Sequence, residues 1–565
     1  MSKTTGGRFV AEFLEAYGVK AIFFVPTVLS HALAEMDDMP IKRVLTHGEK
    51  AAAYMADGYA RASGRPGICG AQAVGAANLA AGLRDAYMGH SPVIAFTGGR
   101  LGHQKYKINY QECDDYPTFN QYTKANFEVD VVGRLPDLMR QAFREATSGT
   151  PGPVNLLIAG KEGDIESNSA ELDLVIEEQF TRAPAHRPAP ETERVEEALR
   201  HLEEAQRPVI VAGGGARWSR AAPELLKLAE TLSIPVATSL NGYALVPENH
   251  PLYIGVPGTY SRACANKALA RADLVLFVGS QTGGQVTHFW RFPPAGTPTI
   301  QIGIDPSDLG RNYPNAVSLL GDARVTLQAL LDETARSGRS GQKGSRDAWL
   351  SEVKAVVSEW RAEGQPLRQS DAVPMRPERL MKELGEWLPE DAVVVCDTGH
   401  SGMWSAQQLW VNSRRWDFLR AAGSLGWAFP ASLGAKCALP QRPVICITGD
   451  GGFWYHIQEL ETAVRCGIPT VTCVNNNSAL NQELQIFRPI YRARPGAKQE
   501  KQEEMWRFSK VNLARLAETV GALGIRVEKP GELRAALDRA LSCGRPAVVD
   551  VQSDMEALAP TAWEG

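Results

Sequence analysis

The sequence predicts an α/β protein of three consecutive domains, each a parallel sheet flanked by helices. Three observations carry this prediction. The chain has 565 residues, more than one hydrophobic core organises. Short apolar runs alternate with helical segments in its first and last thirds. Polar stretches bearing proline, glycine or serine divide it. The predicted domains cover residues 1–165, 191–335 and 386–565.

In the first domain, Ala21-Ile22-Phe23-Phe24-Val25 and Pro92-Val93-Ile94-Ala95-Phe96 read as buried strands, and the alanine-rich stretches 49–62 and 75–87 as helices. Residues 161–190 turn acidic and proline-bearing, as a linker does. The second domain opens with Pro208-Val209-Ile210-Val211 and the triplet Gly213-Gly214-Gly215. It continues with the strand-like runs 274–279 and 299–305. Such strands end in loops able to carry a ligand, although the triplet lacks the spaced glycines of a dinucleotide fingerprint and Asp305 serves equally as a turn cap. The Arg/Gly/Ser-rich run 336–346 reads as a solvated linker. In the third domain the strand candidates are 393–395, 444–447, 471–474 and 547–551. Its alternation matches that of the first domain, without a close sequence repeat.

Composition excludes several function classes. A hydrophobic fraction of 44%, a charged fraction of 22% and a net charge of -4 give no pull toward nucleic acid or an anionic membrane. The first fifteen residues lack an apolar core of signal-peptide length, and no stretch reaches eighteen uncharged apolar residues, so a cytoplasmic location is expected. Nine cysteines with no CxxC pair predict free thiols.

The sharpest motif is Gly449-Asp450-Gly451-Gly452, directly after an apolar strand. A carboxylate at a strand's carboxyl end can reach a hard divalent cation, and glycines let backbone N–H groups approach phosphate oxygens. A helical segment, 457–466, and a further strand ending in Asn475-Asn476-Asn477 follow. Strand, helix and parallel strand form one crossover, returning an amide oxygen to the sheet edge that carries Asp450. Asp450 as a helix cap and Asn477 as a turn residue are the structural alternative.

With Gly449-Asp450-Gly451 followed by Asn476-Asn477, the chain resembles the thiamine diphosphate enzymes of the acetolactate synthase and pyruvate decarboxylase superfamily, which includes benzaldehyde lyase and 2-hydroxyacyl-CoA lyase. The resemblance covers almost the whole length, the three blocks matching pyrimidine-binding, central and diphosphate-binding domains in order. It implies thiamine diphosphate held through Mg²⁺, with Asp450, the Asn477 side chain and the Ala479 carbonyl as metal ligands. Thr46-His47-Gly48-Glu49 with Met55-Ala56-Asp57-Gly58-Tyr59-Ala60-Arg61 matches a further motif and assigns Glu49 to the cofactor's aminopyrimidine ring. Gly423-Ser424-Leu425-Gly426 places Leu425 between the cofactor's rings and makes the Gly423 carbonyl an acceptor for the pyrimidine amino group. Gly399-His400-Ser401 corresponds to a diphosphate-contacting loop, though a satisfied surface histidine is the competing account of His400. Gly449, Gly451 and Gly452 join it as cofactor-binding positions. Tyr110-Gln111-Glu112 gives Gln111 a place facing the reacting carbon.

The resemblance further implies a small-molecule substrate and a homodimer or homotetramer with the active site at the subunit interface. The expected activity is decarboxylase or carboligase action on a 2-oxo acid. The alternatives are 2-hydroxyacyl-CoA or benzaldehyde-type carbon–carbon lyase activity, or a non-catalytic scaffold. In the central domain the family precedent is FAD, ADP or no nucleotide. The segments 69–75 and 26–29 depart from the acetolactate synthase pattern, and Gln72 stands near a place where one aryl-keto-acid decarboxylase class carries histidine. These departures point away from ordinary acetolactate synthesis. Glu483 reads as catalytic or merely solvent-facing, and the final Trp563-Glu564-Gly565 as a cover for the entrance.

Overall fold

The computed structural model describes residues 2–26, 28–160, 162–338, 346–413 and 415–565. The described residues form three six-stranded parallel sheets and one two-stranded ribbon. The predicted 336–346 linker falls largely on 339–345, outside the described residues, as does Thr27 of the divergent 26–29 segment.

From edge to edge, the first sheet runs Lys42–Leu45, Ala21–Val25, Gly67–Ala71, Val93–Gly98, Val154–Ile158 and Ala125–Val129. The third runs Asp417–Arg420, Val393–Cys396, Val444–Gly449, Val471–Asn476, Ala547–Gln552 and Leu523–Val527. Numbered within its own domain, each sheet has the strand order 2-1-3-4-6-5, so the two domains share one winding without a repeat visible in the sequence. The central sheet differs. Its order, Tyr253–Gly255, Val236–Thr238, Pro208–Ala212, Leu274–Val278, Thr299–Gly303 and Asn315–Leu320, is 3-2-1-4-5-6, the winding of doubly wound dinucleotide-binding domains. Its inner strands, such as Pro208–Ala212 and Leu274–Val278, are buried along their whole length, as strands covered on both faces must be.

The alanine-rich stretch of the first domain forms the helix Glu49–Ser63, which packs against Ala428–Ala438 of the third domain. The composition follows from how closely these helices approach. A Cβ on Gly58 would lie 2.0 Å from the Ala431 carbonyl oxygen, and one on Gly434 would lie 1.8 Å from that of Met55. Around this crossing the two domains share one core, in which Tyr54, Met55 and Leu83 meet Val395, Trp427 and Phe429.

Three features lie beyond the sequence reading. Ser169–Leu172, inside the predicted 161–190 linker, is a strand pairing antiparallel with Ser2–Thr5. The edge strands Asp417–Arg420 and Leu523–Val527 carry charged residues that mask them as strands. A 22-residue helix, Asp347–Arg368, joins the second and third domains. Among the described residues no helix is long and apolar enough to cross a membrane.

Candidate active site

The third sheet delivers the site at the carboxyl ends of its central strands. Val444–Gly449 ends at the motif, and Asp450 opens a short helix, Asp450–Trp454, so the motif is a strand-to-helix junction. The neighbouring strand Val471–Asn476 runs parallel with Asn475 opposite Gly449, which carries Asn477 just past the sheet edge beside Asp450. Of the three asparagines, Asn476 is already engaged. Its amide donates to Asp550 at 2.7 Å and its oxygen accepts from the Ser478 N–H at 3.2 Å. The side-chain oxygens of Asn475 and Asn477 are buried without a partner.

Ser478 adopts a left-handed conformation (φ 57°), turning Ala479 into the same pocket. The adjoining pairing with residues 506–508 uses the carbonyls of Ser478 and Trp506, not that of Ala479. Burial pushes the Asp450 carboxyl up to about 7, partly offset by the backbone N–H groups of Asn477 and Gly451. One desolvated carboxylate, one unpartnered amide oxygen and one carbonyl form an all-oxygen set, which fits a hard cation of the Mg²⁺ type. Among the described residues no group of three His, Cys, Asp or Glu side chains is placed to bind a metal.

The opposite wall comes from the loop after Val393–Cys396. Gly399 has φ 64° and ψ -144°, a conformation a side chain would not tolerate, and it starts the helix His400–Gln408. The His400 Nδ1 lies 2.7 Å from the Asn481 side-chain oxygen, while its Nε2 is buried and unpartnered. The Asn481 amide nitrogen donates to the Met555 and Ala557 carbonyls, each at 3.3 Å. That pairing fixes the amide's orientation and puts the imidazole proton on Nδ1. Burial lowers the histidine's pKa, so the neutral ring offers Nε2 as an acceptor. Donation from Nε2 to a phosphate oxygen would therefore require that His400 first take up a proton.

Leu425 lines this pocket with Gly399, Ser401, Gly449, Gly451 and Gly452. Behind it, Asp397 accepts from the N–H groups of Thr398 and Gly426 and from the Thr448 hydroxyl. Burial raises the Asp397 carboxyl to about 6. A Cβ on Gly452 would lie 2.8 Å from Asp397 Oδ2 and 2.7 Å from Thr448 Oγ1, so this wall closes only on glycine. Glu483 also lines the pocket.

Glu49 and Gln111 are not among the residues around Asp450 in this chain. Glu49 heads its helix against Gly75 and accepts from the Asn78 amide at 3.3 Å. Gln111 is held at φ 59°, its carbonyl taken by Arg100 and its side-chain oxygen buried without a partner. The segment leading to it exposes Tyr106 at 95%, Ile108 at 97% and Tyr110 at 72%.

A second cleft lies in the central domain, where Gly213 to Gly215 and Gly279 to Gln281 meet at the ends of adjacent strands. This is the point where the strand order reverses, the usual ligand crevice of such sheets. Asp305 borders the cleft, and Arg420 enters it hydrogen-bonded to the neutral amides of Asn241 and Gln285. Burial lowers that guanidinium to about 10.

Three family profiles match the chain in the order of its sheets. They are the thiamine pyrophosphate enzyme N-terminal binding domain over residues 4–117, the central domain over 195–330 and the C-terminal binding domain over 397–551. The probable acetolactate synthase large subunit of Methanocaldococcus jannaschii is 32% identical over 99% of this chain and 94% of its own length. The chain belongs to the thiamine pyrophosphate enzyme family. The probable large subunit of Methanococcus aeolicus is 31% identical over 97% of this chain and 92% of its own. The acetolactate synthase large subunit of Haemophilus influenzae is 28% identical over 98% and 95%. Within this family, the Asp450 pocket lies in the C-terminal cofactor-binding domain and Glu49 in the N-terminal one.

Proposed function

We propose that the protein is a thiamine diphosphate and Mg²⁺-dependent carboligase or decarboxylase acting on a 2-oxo acid. The observation that carries this reading is the union, in one pocket beneath Leu425, of a buried Asp450 raised to about 7 and the unpartnered oxygen of Asn477. When bound, thiamine diphosphate supplies a nucleophilic carbon and an electron sink for making or breaking a bond beside a carbonyl. Asp450, Asn477 and the Ala479 carbonyl hold the cation, while Gly399, Ser401, Gly449, Gly451, Gly452 and a protonated His400 receive the diphosphate. Leu425 and the Gly423 carbonyl orient the rings. The Glu49 carboxylate holds a proton at the pyrimidine, and Gln111 donates to the substrate oxygen.

Glu49 and Gln111 reach the Asp450 pocket from a second copy of the chain, in a homodimer or homotetramer. The exposed apolar side chains of Tyr106, Ile108 and Tyr110 support this assembly. The names of the relatives support a 2-oxo acid substrate, and a cytoplasmic location fits such chemistry. The central cleft accepts an anionic nucleotide, FAD or ADP, on the support of its strand order and of Arg420. The absorbance spectrum of the purified protein separates the two, since only the flavin is yellow.

The test is titration of the protein with thiamine diphosphate with and without Mg²⁺, followed by turnover of pyruvate and other 2-oxo acids. Saturable, Mg²⁺-dependent binding with carbon dioxide release and a ligated product is expected. Absence of binding with Mg²⁺ present overturns the reading. Cleavage of 2-hydroxyacyl thioesters without turnover of any 2-oxo acid replaces it with the lyase.

A further inference from the structure

Asp85 is a fully buried carboxylate that the proposed chemistry does not use. It lies on Ala76–Met88 of the first domain, yet its hydrogen bonds reach into the third. One oxygen accepts from the Ala422 N–H at 2.9 Å, and the other from the N–H groups of Gly423 and Ser424 at 3.2 and 3.0 Å. Arg61 is shared between two carboxylates, donating to Asp85 at 3.1 Å and to both oxygens of Asp57 at 2.7 and 2.6 Å. The same guanidinium donates to the Arg420 carbonyl at 2.8 Å. At the far end of the loop, the Trp427 indole N–H donates to Asp57 at 2.8 Å.

The segment 420–427 is the loop that carries Gly423 and Leu425. Asp85, Arg61 and Asp57 of the first domain hold its two ends, and its own domain contributes the Asp397 contact to Gly426 at 3.2 Å. The choice of aspartate has a chemical reason. An ionised carboxylate only accepts, so it can meet three converging N–H groups and a guanidinium together, whereas an amide would turn a donor toward at least one of them. An acceptor-only group satisfied from four directions defines the height of the loop above the sheet.

We infer that Asp85 is a positioning residue: it sets the Gly423 carbonyl and the Leu425 side chain against the ring end of the cofactor, while the metal end forms without it. The inference rests on the proposed thiamine diphosphate site. It separates two ligands. Mg²⁺ with inorganic pyrophosphate reads only the Asp450 end, and Mg²⁺ with thiamine diphosphate reads both ends.

The experiment measures both affinities, kcat and the near-ultraviolet circular dichroism of the bound cofactor in wild type and Asp85→Asn. The variant is expected to bind Mg²⁺-pyrophosphate within about twofold of wild type. Thiamine diphosphate should bind at least tenfold more weakly, with an altered dichroism band and a lowered kcat. If both ligands weaken by the same factor, or neither changes, Asp85 has no positioning role and the inference falls. Should Asp85→Asn fail to fold, Asp85→Glu keeps the charge beside Arg61, moves the loop and is judged by the same ratio. Hydrogen exchange on cofactor-free wild type gives a check independent of any variant. Slow exchange of the Ala422, Gly423 and Ser424 amides is expected, and exchange at the rate of an open loop overturns the inference. Failure of wild type to bind thiamine diphosphate would defeat the proposed function instead, and is read separately.

Discussion

Because Glu49 stands apart from the Asp450 pocket of its own chain, two individually dead variants should rescue each other. Glu49→Gln removes the carboxylate proposed to hold a proton at the pyrimidine and is expected to lower turnover at least a hundredfold. Asp450→Asn removes the carboxylate of the proposed cation-ligand set and is expected to abolish Mg²⁺-dependent cofactor binding. In a twofold dimer each site takes Glu49 from one copy and Asp450 from the other. A dimer of one variant with the other then has one site carrying both lesions and one carrying neither. Random pairing of equal amounts makes about half the dimers mixed, each with one intact site of two, so about one quarter of wild-type activity returns. Co-expression with two different affinity tags and assay of 2-oxo acid turnover on the unselected mixture measure this fraction, and the mixed dimers isolated by tandem purification should show about one half. If Glu49 served the Asp450 of its own chain, every site would keep one lesion and the mixture would stay inactive. That result would refute the two-copy site.

Further outcomes follow from the packing and electrostatics. Gly58→Ala drives a methyl into the Ala431 backbone 2.0 Å away, where no side chain can yield, and should destabilise the joint of the first and third domains by about 3 kcal/mol in chemical denaturation. An unchanged midpoint would refute the closeness of that crossing. Glu459 is fully buried, accepting from the His47 N–H at 3.0 Å and the Thr462 hydroxyl at 2.8 Å, and burial pushes its carboxyl from 4.5 up to about 7. The folded state therefore holds this proton more tightly than the unfolded chain. The associated stability is present below pH 4.5 and is lost as pH rises through 7, amounting to about 3 kcal/mol. Glu459→Gln should flatten urea stability between pH 5 and 8, and a variant that keeps the wild-type slope would locate the proton elsewhere. Tyr106→Lys with Ile108→Lys places two charges on the exposed segment and should shift the protein toward monomer in sedimentation, with activity falling in step. An undisturbed assembly would exclude this surface from the interface.

How far the sequence could be read depended on where the physical signal was local. Runs such as 208–211 and 547–551 are continuously apolar because both faces are covered, and they emerged as strands within a residue or so. Asp417–Arg420 and Leu523–Val527 sit at sheet edges, where an aspartate or arginine costs little and breaks the pattern. The meeting of Asp450 and Asn477 was legible because one crossover joins their strands. Asp85 was not, because an acid on an alanine-rich helix reads as a solvent-facing charge and its partner Ala422 lies 337 residues away. The tautomer of His400 depends on chain-end carbonyls that no local spacing encodes. The matching windings of the first and third sheets rest on backbone geometry, which diverged sequences can share.

The route of the last residues has a practical consequence. After Ala557, the chain accepts from the Gln485 amide through the Ala559 carbonyl, stacks Trp563 on Phe292 at 5.4 Å and pairs Glu564 with Arg291 at 3.0 Å. The strap thus ties the Asn481–Ala493 helix to the central domain and, through Asn481, steadies the His400 imidazole in the Asp450 pocket. A preparation nicked near residue 555 by a contaminating protease would keep every motif residue yet release Asn481 to rotate. Batches of equal purity by mass of the main fragment would then differ in how much cofactor they retain, and intact mass spectrometry of the carboxyl end becomes the quality check that matters.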